Sequence, residues 1–448
     1  MGSKFSEYTS ILRPIILSFG VSIVALIFSL LTNKIVAFYS SLSGFALFAF
    51  IKSLHQILNS VNKLGRENII INQSSKSKTD EEKTYVLIKT FSIFLVQSVF
   101  CFLIIIPIFL VFFDLIFNDF NIENKYLFLF LIVILSLFIS LYEKVLAFLN
   151  GQLMLKAIFV VSSFSAIGVT VIAVLLRPSD SESIALIALL SGFLGLLPIL
   201  YFLKKVIKSK NLLSRFKEIK ILSLYKETSL SMMFQPLITA LSYFVCQLAY
   251  LNYFGSHNLA IFSSSYILFI MMLSVVMSSA RFYLQPTLAG SSNLDFKKNL
   301  LIKYIYIYLF GIFLLCISLI IYGSFLIEIV FAAEFIIAFE FFKVLILTMP
   351  ISVINWILAI KIISEDHYSS FALIESAKDI VLTLIFLFLL FFYSDMYIPS
   401  YAFLLSAMMQ GLLVIKKILS LDVGFYFGDI LKSYGAALLT SILLFALS

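Results

Sequence analysis

The chain has 448 residues, of which 62% are hydrophobic, 16% aromatic and 12% charged, and its formal net charge is +8. Soluble domains run at roughly 45–50% apolar and about 25% charged; with a mean hydropathy of +1.09 this composition excludes a soluble enzyme, a disordered chain and a nucleic-acid-binding domain. In a chain this apolar, excess Lys and Arg marks the cytoplasmic loops of a membrane protein, not a nucleic-acid surface.

A bilayer-crossing helix needs about 20 apolar residues. Taken in chain order, hydropathy predicts twelve such spans, at 14–33, 36–59, 86–113, 126–149, 153–176, 184–203, 229–253, 259–284, 300–322, 337–360, 371–393 and 397–418. A weaker stretch, 433–447, is either a thirteenth span or an interfacial helix. The runs are continuously apolar and lack the alternation of a membrane barrel. The first has no small-residue cleavage site and is expected to remain as a span. Cys101, Cys246 and Cys316 all fall inside apolar runs, which suits packing, not disulfides or metal ligation.

The basic residues alternate between gaps. The second gap holds Lys63, Arg66, Lys76, Lys78 and Lys83; the sixth holds a run from Lys204 to Lys226; the eighth holds Lys297 and Lys298. Odd gaps hold one basic residue at most, such as Lys34, Lys125 or Arg177. By the positive-inside rule, both ends of the twelve-span unit are expected in the cytoplasm.

The long polar connection near the midpoint leaves six spans on either side. It defines an N-terminal lobe (1–210), a linker (211–228), a C-terminal lobe (229–420) and a tail (421–448). The halves share more than a count. AFYSSLS (Ala37–Ser43) is matched 223 residues later by AIFSSSY (Ala260–Tyr266), and Pro14 by Pro236 at nearly the same offset. Gly65 and Gly290 follow the second and eighth spans. Six spans per half give both halves one orientation, so they are expected to be parallel repeats about an axis along the membrane normal. The predicted fold is an all-α polytopic membrane protein with two parallel six-helix lobes, whose substrate site lies between the lobes.

An ionisable side chain inside a span costs roughly 2.5–3.5 kcal/mol on insertion scales and usually faces a cavity or a partner. Lys52 lies about two-thirds along the second span, with His55 on the same helical face at i+3. Arg281 lies near the end of the eighth span, Arg13 opens the first, and Gln235 sits beside Pro236 early in the seventh. These are the leading helix pairs of both halves; facing each other, they make a basic vestibule suited to an anionic headgroup. Snorkelling explains Arg13 and Arg281 equally well, and His55 alone reads as a satisfied polar residue. Glu143 beside Lys144, Glu340 with Lys343, and Glu375 with Lys378 and Asp379 read as local ion pairs. Binding of a coupling proton or Na⁺ is the second reading for Glu143, Glu375 and Asp379. No Gly-rich phosphate loop, metal-ligand spacing or catalytic constellation is present in the sequence, so neither a resident cofactor nor a metal is expected.

On the span count, the paired helix starts AFYSSLS and AIFSSSY, Gly65–Arg66 after the second span and the cations of spans two and eight, residues 6–418 resemble the polysaccharide flippases of the multidrug/oligosaccharidyl-lipid/polysaccharide (MOP) superfamily. Wzx-like O-antigen transporters, with a MATE-like fold, are the nearest pattern. The resemblance implies movement of undecaprenyl-pyrophosphate-linked oligosaccharide across the bacterial inner membrane. The headgroup would be held by Lys52 and Arg281, supported by Arg13, His55 and Gln235. Polysaccharide polymerase and glycosyltransferase machinery are the implied partners. A drug exporter of the same fold is the first alternative; it would need a deep acidic residue in the first lobe, and spans one and two contain none. A membrane polymerase or ligase is the second, disfavoured because every outer gap is short and poor in basic residues.

Overall fold

The computed structural model describes residues 2–63, 66–100, 103, 106–111, 113–118, 120, 122–206, 230–291, 293–393, 396–420 and 427–447. Among them the structure is helical throughout. In chain order the elements are α1 (Gly2–Lys63), α2 (Glu67–Lys76), α3 (Asp80–Phe100), α4 (Ile106–Val111), α5 (Phe113–Phe117), α6 (Lys125–Gly151), α7 (Leu155–Leu176), α8 (Ser181–Leu189) and α9 (Ser191–Val206). The second half comprises α10 (Leu230–Gly290), α11 (Leu294–Val330), a 3₁₀ turn (Ala333–Phe335), α12 (Ala338–Ser364), α13 (Tyr368–Phe392), α14 (Ile398–Ser420) and α15 (Phe427–Leu447). Among the described residues eight helices are long and apolar enough to cross a membrane by length and composition. Two of these, α1 and α10, are broken in the middle and supply two passes each.

The breaks carry the repeat. α1 turns at Ser41 (φ 63°, ψ 179°) and α10 at Gly255 (φ 79°, ψ 172°), 214 residues later. This corrects two sequence expectations. The first turn lies inside the AFYSSLS motif and not near Lys34, because Ser40 and Ser41 can hold a helix end with their own hydroxyls: Ser40 Oγ donates to the Val36 carbonyl (2.7 Å), and Ser41 and Ser43 hydroxyls lie 3.2 Å apart. The offset of 223 is replaced by 214, since AIFSSSY lies wholly past the second break, with Ser263, Ser264 and Ser265 buried within the helix. Backbone in this region is essentially reserved for glycine and costs another residue about 1–3 kcal/mol. A Cβ at Gly255 would meet nothing within 4 Å, so the effect there is one of backbone alone. Ser41→Gly is therefore expected to stabilise the protein by about 1 kcal/mol and Gly255→Val to destabilise it by about 1–3 kcal/mol, read as opposite shifts in thermal unfolding.

In the first half, α6 packs against α8 and α9, α7 against α9 and α1, and α2 against the end of α6. In the second, α12 is the central helix, touching α10, α11, α14 and α15. The last contact places the C-terminal stretch. Tyr434 donates to Asn355 Oδ1 (2.6 Å) and Ser441 to the Leu347 carbonyl (3.0 Å), so α15 runs antiparallel to α12. Its apolar part, Lys432–Phe445, extends about 21 Å, shorter than a hydrocarbon core. Large apolar side chains cover the outside, among them Phe310, Ile321 and Phe325 of α11 and Phe388, Phe391 and Phe392 of α13, as a lipid-facing surface requires.

The halves meet chiefly along α1 and α10. At the end bearing the breaks they are closed by aromatic rings. Phe45 sits edge-on to Phe331 and Phe335 (5.3 Å to each), and Phe50 packs on Phe244 (5.1 Å) and on Phe117 (5.8 Å). Phe45, Phe331 and Phe335 are all but inaccessible. Toward the other end, where Lys76 and Lys78 are exposed, the halves part around a cavity that α2 spans.

Candidate functional site

The parting is a cavity of about 680 Å³ whose walls come from both halves. The breaks fix the depth of its residues. Lys52 lies eleven residues past Ser41, and Tyr266 eleven past Gly255. At 1.5 Å per residue each is about 16 Å below its break, near the middle of a core about 30 Å thick. The first half contributes Lys52, His55, Gln56, Asn59 and Glu143; the second contributes Gln235, Tyr243, Tyr266, Trp356 and Glu375.

Of the residues singled out from sequence, Lys52, His55, Gln235, Arg281, Glu143 and Glu375 all line this cavity. Asp379 lies one residue behind the wall, and the side chain of Arg13 lies outside the described residues, as does the 211–228 linker. Lys52 sits over the Phe48 ring, 4.0 Å from its centroid. No carboxylate pairs with it among the described residues. His55 Nδ1 is 2.9 Å from the Ser136 hydroxyl, which fixes the ring against α6. Glu143 accepts from Asn59 Nδ2 (2.6 Å), while its neighbour Lys144 turns into the helix packing, donating to the Asn62 carbonyl and to Ser140. Adjacent positions on a helix point in different directions. The pair at Glu340 and Lys343 forms as expected (3.0 Å) but far from the cavity, beside Tyr397 and Tyr401.

Behind the second wall is a connected polar chain. Gln235 Nε2 donates to Thr239 (3.1 Å), and Thr239 donates to Asp379. Lys378 pairs with Glu375 (2.7 Å) and Asp379 (3.4 Å), and Glu375 accepts in addition from Gln410. One lysine thus serves as counter-charge to two carboxylates, a formal sum of −1 when all three are ionised, and Gln235 and Glu375 bring both ends of the chain to the cavity. Among the described residues no group of three His, Cys, Asp or Glu is placed to hold a metal ion.

Arg281 is not a free cation. Its Nη2 donates to Glu67 (3.0 Å) and Asn68 (3.4 Å) of α2. Glu67 lies twenty-six residues past Ser41, as Arg281 lies past Gly255, so repeat-related positions carry opposite charges and join across the axis. α2 continues this contact: Gln285 donates to Asn72 (3.2 Å), Asn72 to the Tyr368 hydroxyl (2.7 Å) and the Ile363 carbonyl (3.0 Å), and Lys76 pairs with Asp366 (2.7 Å). The other side of α2 is fixed to the first half, where Ser74 donates to the Phe148 carbonyl (3.0 Å). α2 is thus a polar latch across the basic end. Sequence reading missed it, because α2 lies in the basic connection after the second span, where Glu67 and Asn68 carry no hydropathy signal and the polar segment from Asn72 to Lys83 reads as a solvated loop.

Asp366 gives the latch a pH dependence. Partial burial opposes its ionisation, but hydrogen bonds from Lys76, Tyr368 and Asn72 prevail and hold the carboxyl below its ordinary value. With the folded value below the unfolded one, the contribution is full at neutral pH and is lost as pH falls through the folded value. Asp366→Asn is expected to increase protease cleavage at the α2–α3 connection (77–79) at neutral pH, with wild type approaching the variant only in acid.

No known family profile matches the sequence, and no curated protein matches it. Solved structures with the same fold are found. A MATE transporter crystallised in complex with MaL6 superposes with a TM-score of 0.69 at 13% identity, covering 92% of this chain and 96% of its own. A MOP superfamily transporter from Pyrococcus furiosus, described as having a binding pocket of reverse polarity, gives 0.67 at 12% identity, covering 98% and 96%. A multidrug resistance MATE family transporter of the MOP superfamily in an inward-facing conformation gives 0.63 at 12% identity, covering 92% and 100%. The chain has the MATE-like fold of these transporters.

Proposed function

We propose that this protein carries the anionic head of a lipid-linked oligosaccharide, of the undecaprenyl-pyrophosphate kind, across the bacterial inner membrane by alternating access between its two halves. The observation that carries the reading is Lys52, a cation at mid-membrane depth, facing a cavity, with no carboxylate partner among the described residues. A charge so placed is costly unless something offsets it. A diphosphate would, and the polyprenyl tail would stay in lipid. Arg281 becomes available to the same head when the latch opens, and His55, Gln56 and Gln235 offer hydrogen bonds. The basic loops favour a cytoplasmic latch end, the side on which glycosyltransferases would assemble the lipid-linked glycan; a polymerase on the far side would be its recipient. The Glu375–Lys378–Asp379 chain suits coupling to a proton.

The test is transbilayer movement in reconstituted vesicles. A glycosylated polyprenyl diphosphate in the inner leaflet should become accessible to an external glycosidase only when the protein is present. Equal accessibility with and without protein overturns the reading. One observation favours export of an organic cation instead: Glu143 places a carboxylate in the first half's wall, which spans one and two did not offer. Protein-dependent movement of tetraphenylphosphonium with none of the lipid would establish that alternative.

A further inference from the structure

The two walls of the cavity differ in chemistry. The first half supplies Lys52, His55, Gln56, Asn59, Ser60 and Glu143 with the apolar Ile139 and Ala188 but no aromatic ring, whereas Gln235, Thr239, Arg281 and Glu375 of the second half share their wall with all the rings. The second supplies the rings: Tyr243, Tyr266, Trp356, Tyr368 and Phe371. These rings are held, not loose. Tyr243 and Tyr266 stack at 4.4 Å, and Tyr266 packs in turn on Phe403 at 4.9 Å. Trp356 Nε1 donates to the Met277 carbonyl (3.2 Å), with Phe371 edge-on at 6.3 Å. Trp356 is the only tryptophan in a chain with 49 Phe. The other indole-free spans show that a membrane position alone does not call for it, and it is placed in the wall of the cavity.

Each wall carries a polar group without a hydrogen-bond partner among the described residues. The Tyr266 hydroxyl makes no hydrogen bond among the described residues and is not sealed from the cavity. Gln56, exposed to the cavity, likewise has no hydrogen-bond partner among them. Fixed aromatic faces bordered by unused amide and hydroxyl groups are what a pyranose ring requires. Its axial C–H face is apolar and lies on a ring, and its hydroxyls need donors and acceptors at the edge. An apolar wall with a few convergent polar groups is the general form of a small-molecule site, and Tyr and Trp combine a broad apolar face with a polar handle.

We infer that the second-half wall is a sugar-binding subsite in which Trp356 receives the face of the first glycan ring and the Tyr266 hydroxyl its edge, while Lys52, at the depth of Tyr266, receives the diphosphate. This rests on the function proposed above and adds to it: the two halves read different parts of one head, and specificity for the glycan resides in the second. Because the subsite borders both halves' contact surface, a bound head joins them.

Two lipids that differ only in the sugar test it, with full-length protein in nanodiscs: farnesyl diphosphate, and farnesyl diphosphate bearing one N-acetylglucosamine. In wild type the emission of the single tryptophan reports binding directly; calorimetry gives the affinities of all variants. The glycosylated lipid is expected to bind at least fivefold more tightly than the bare one, and to shift Trp356 emission where the bare lipid does not. Trp356→Ala should abolish that ratio with the bare lipid's affinity unchanged, Trp356→Phe should retain most of it, and Tyr266→Ala should reduce it independently. Lys52→Ala should weaken both lipids alike and keep the ratio. Equal affinities in wild type, or Trp356→Ala and Tyr266→Ala variants that keep the ratio or weaken both lipids alike, overturn the subsite; Lys52-dependent binding of the bare lipid then leaves the proposed function standing. Binding of neither lipid, with tetraphenylphosphonium quenching Trp356, overturns both.

Discussion

Lys52→Glu abolishes lipid translocation in reconstituted vesicles, Lys52→Ala slows it by about 10- to 100-fold, and Lys52→Arg retains most of it: this is the expected order if the cavity receives a phosphate. Hydrogen bonds to a charged group contribute about 1.5–3 kcal/mol, and each 1.4 kcal/mol is a factor of ten, which sets the range for alanine. Glutamate adds repulsion between like charges in a site with little water, where screening is weak. Arginine keeps the charge and presents two parallel donors to a phosphate. Organic-cation export predicts the reverse order, with Lys52→Glu the most active variant. Since Lys52 has no carboxylate partner to strand among the described residues, the alanine variant should unfold at or above the wild-type temperature, which separates a transport defect from a folding one.

Lys378→Met should be the most destabilising single substitution in the membrane-embedded part. Glu375 and Asp379 share Lys378 at 2.7 and 3.4 Å, and removing it leaves two buried carboxylates with hydrogen bonds but no counter-charge. Breaking a buried pair by deleting one member costs about 3–5 kcal/mol. Replacing all members is far milder, so Lys378→Met combined with Glu375→Gln and Asp379→Asn should recover most of the loss. The buried thiols of Cys246 and Cys316 provide the readout, through their reaction with a fluorogenic maleimide on heating. If the triple variant is as unstable as the single one, the ion chain is not what holds α10, α13 and α14 together. Vesicle assays on the triple variant then ask whether the chain also couples transport to a proton gradient.

Much of the architecture is legible because lipid imposes a single rule, a run of apolar residues long enough to cross. The spans of α6, α7, α12 and α14 follow from it within a few residues. Where the rule is silent, the reading fails. Nothing in hydropathy distinguishes a turn at Lys34 from one at Ser41, because a helix continues through lysine as readily as through alanine, while the strained backbone at Ser41 leaves no mark on composition. The cations and carboxylates of the cavity stand out, since any charge in an apolar run is conspicuous: Lys52, Arg281, Glu143 and Glu375 come together from four different helices. Most of the aromatic wall does not stand out, because Tyr243, Tyr266 and Phe371 differ from the many lipid-facing Tyr and Phe rings only in where the fold puts them. Arg281's partner was invisible for the opposite reason, with Glu67 lying among polar residues where one more carboxylate draws no notice.

The closures at the two ends are made of different materials, and this sets an idle bias. Parting the Phe45–Phe331–Phe335 cluster exposes rings that together are worth several kcal/mol of contact with water, with nothing gained in return. Parting α2 from α10 exchanges hydrogen bonds for equivalent ones to solvent, each with a net worth of about 1 kcal/mol. On the proposed mechanism the latch end is therefore the cheaper of the two to open, and the ring-sealed end is the one whose opening a bound head has to favour.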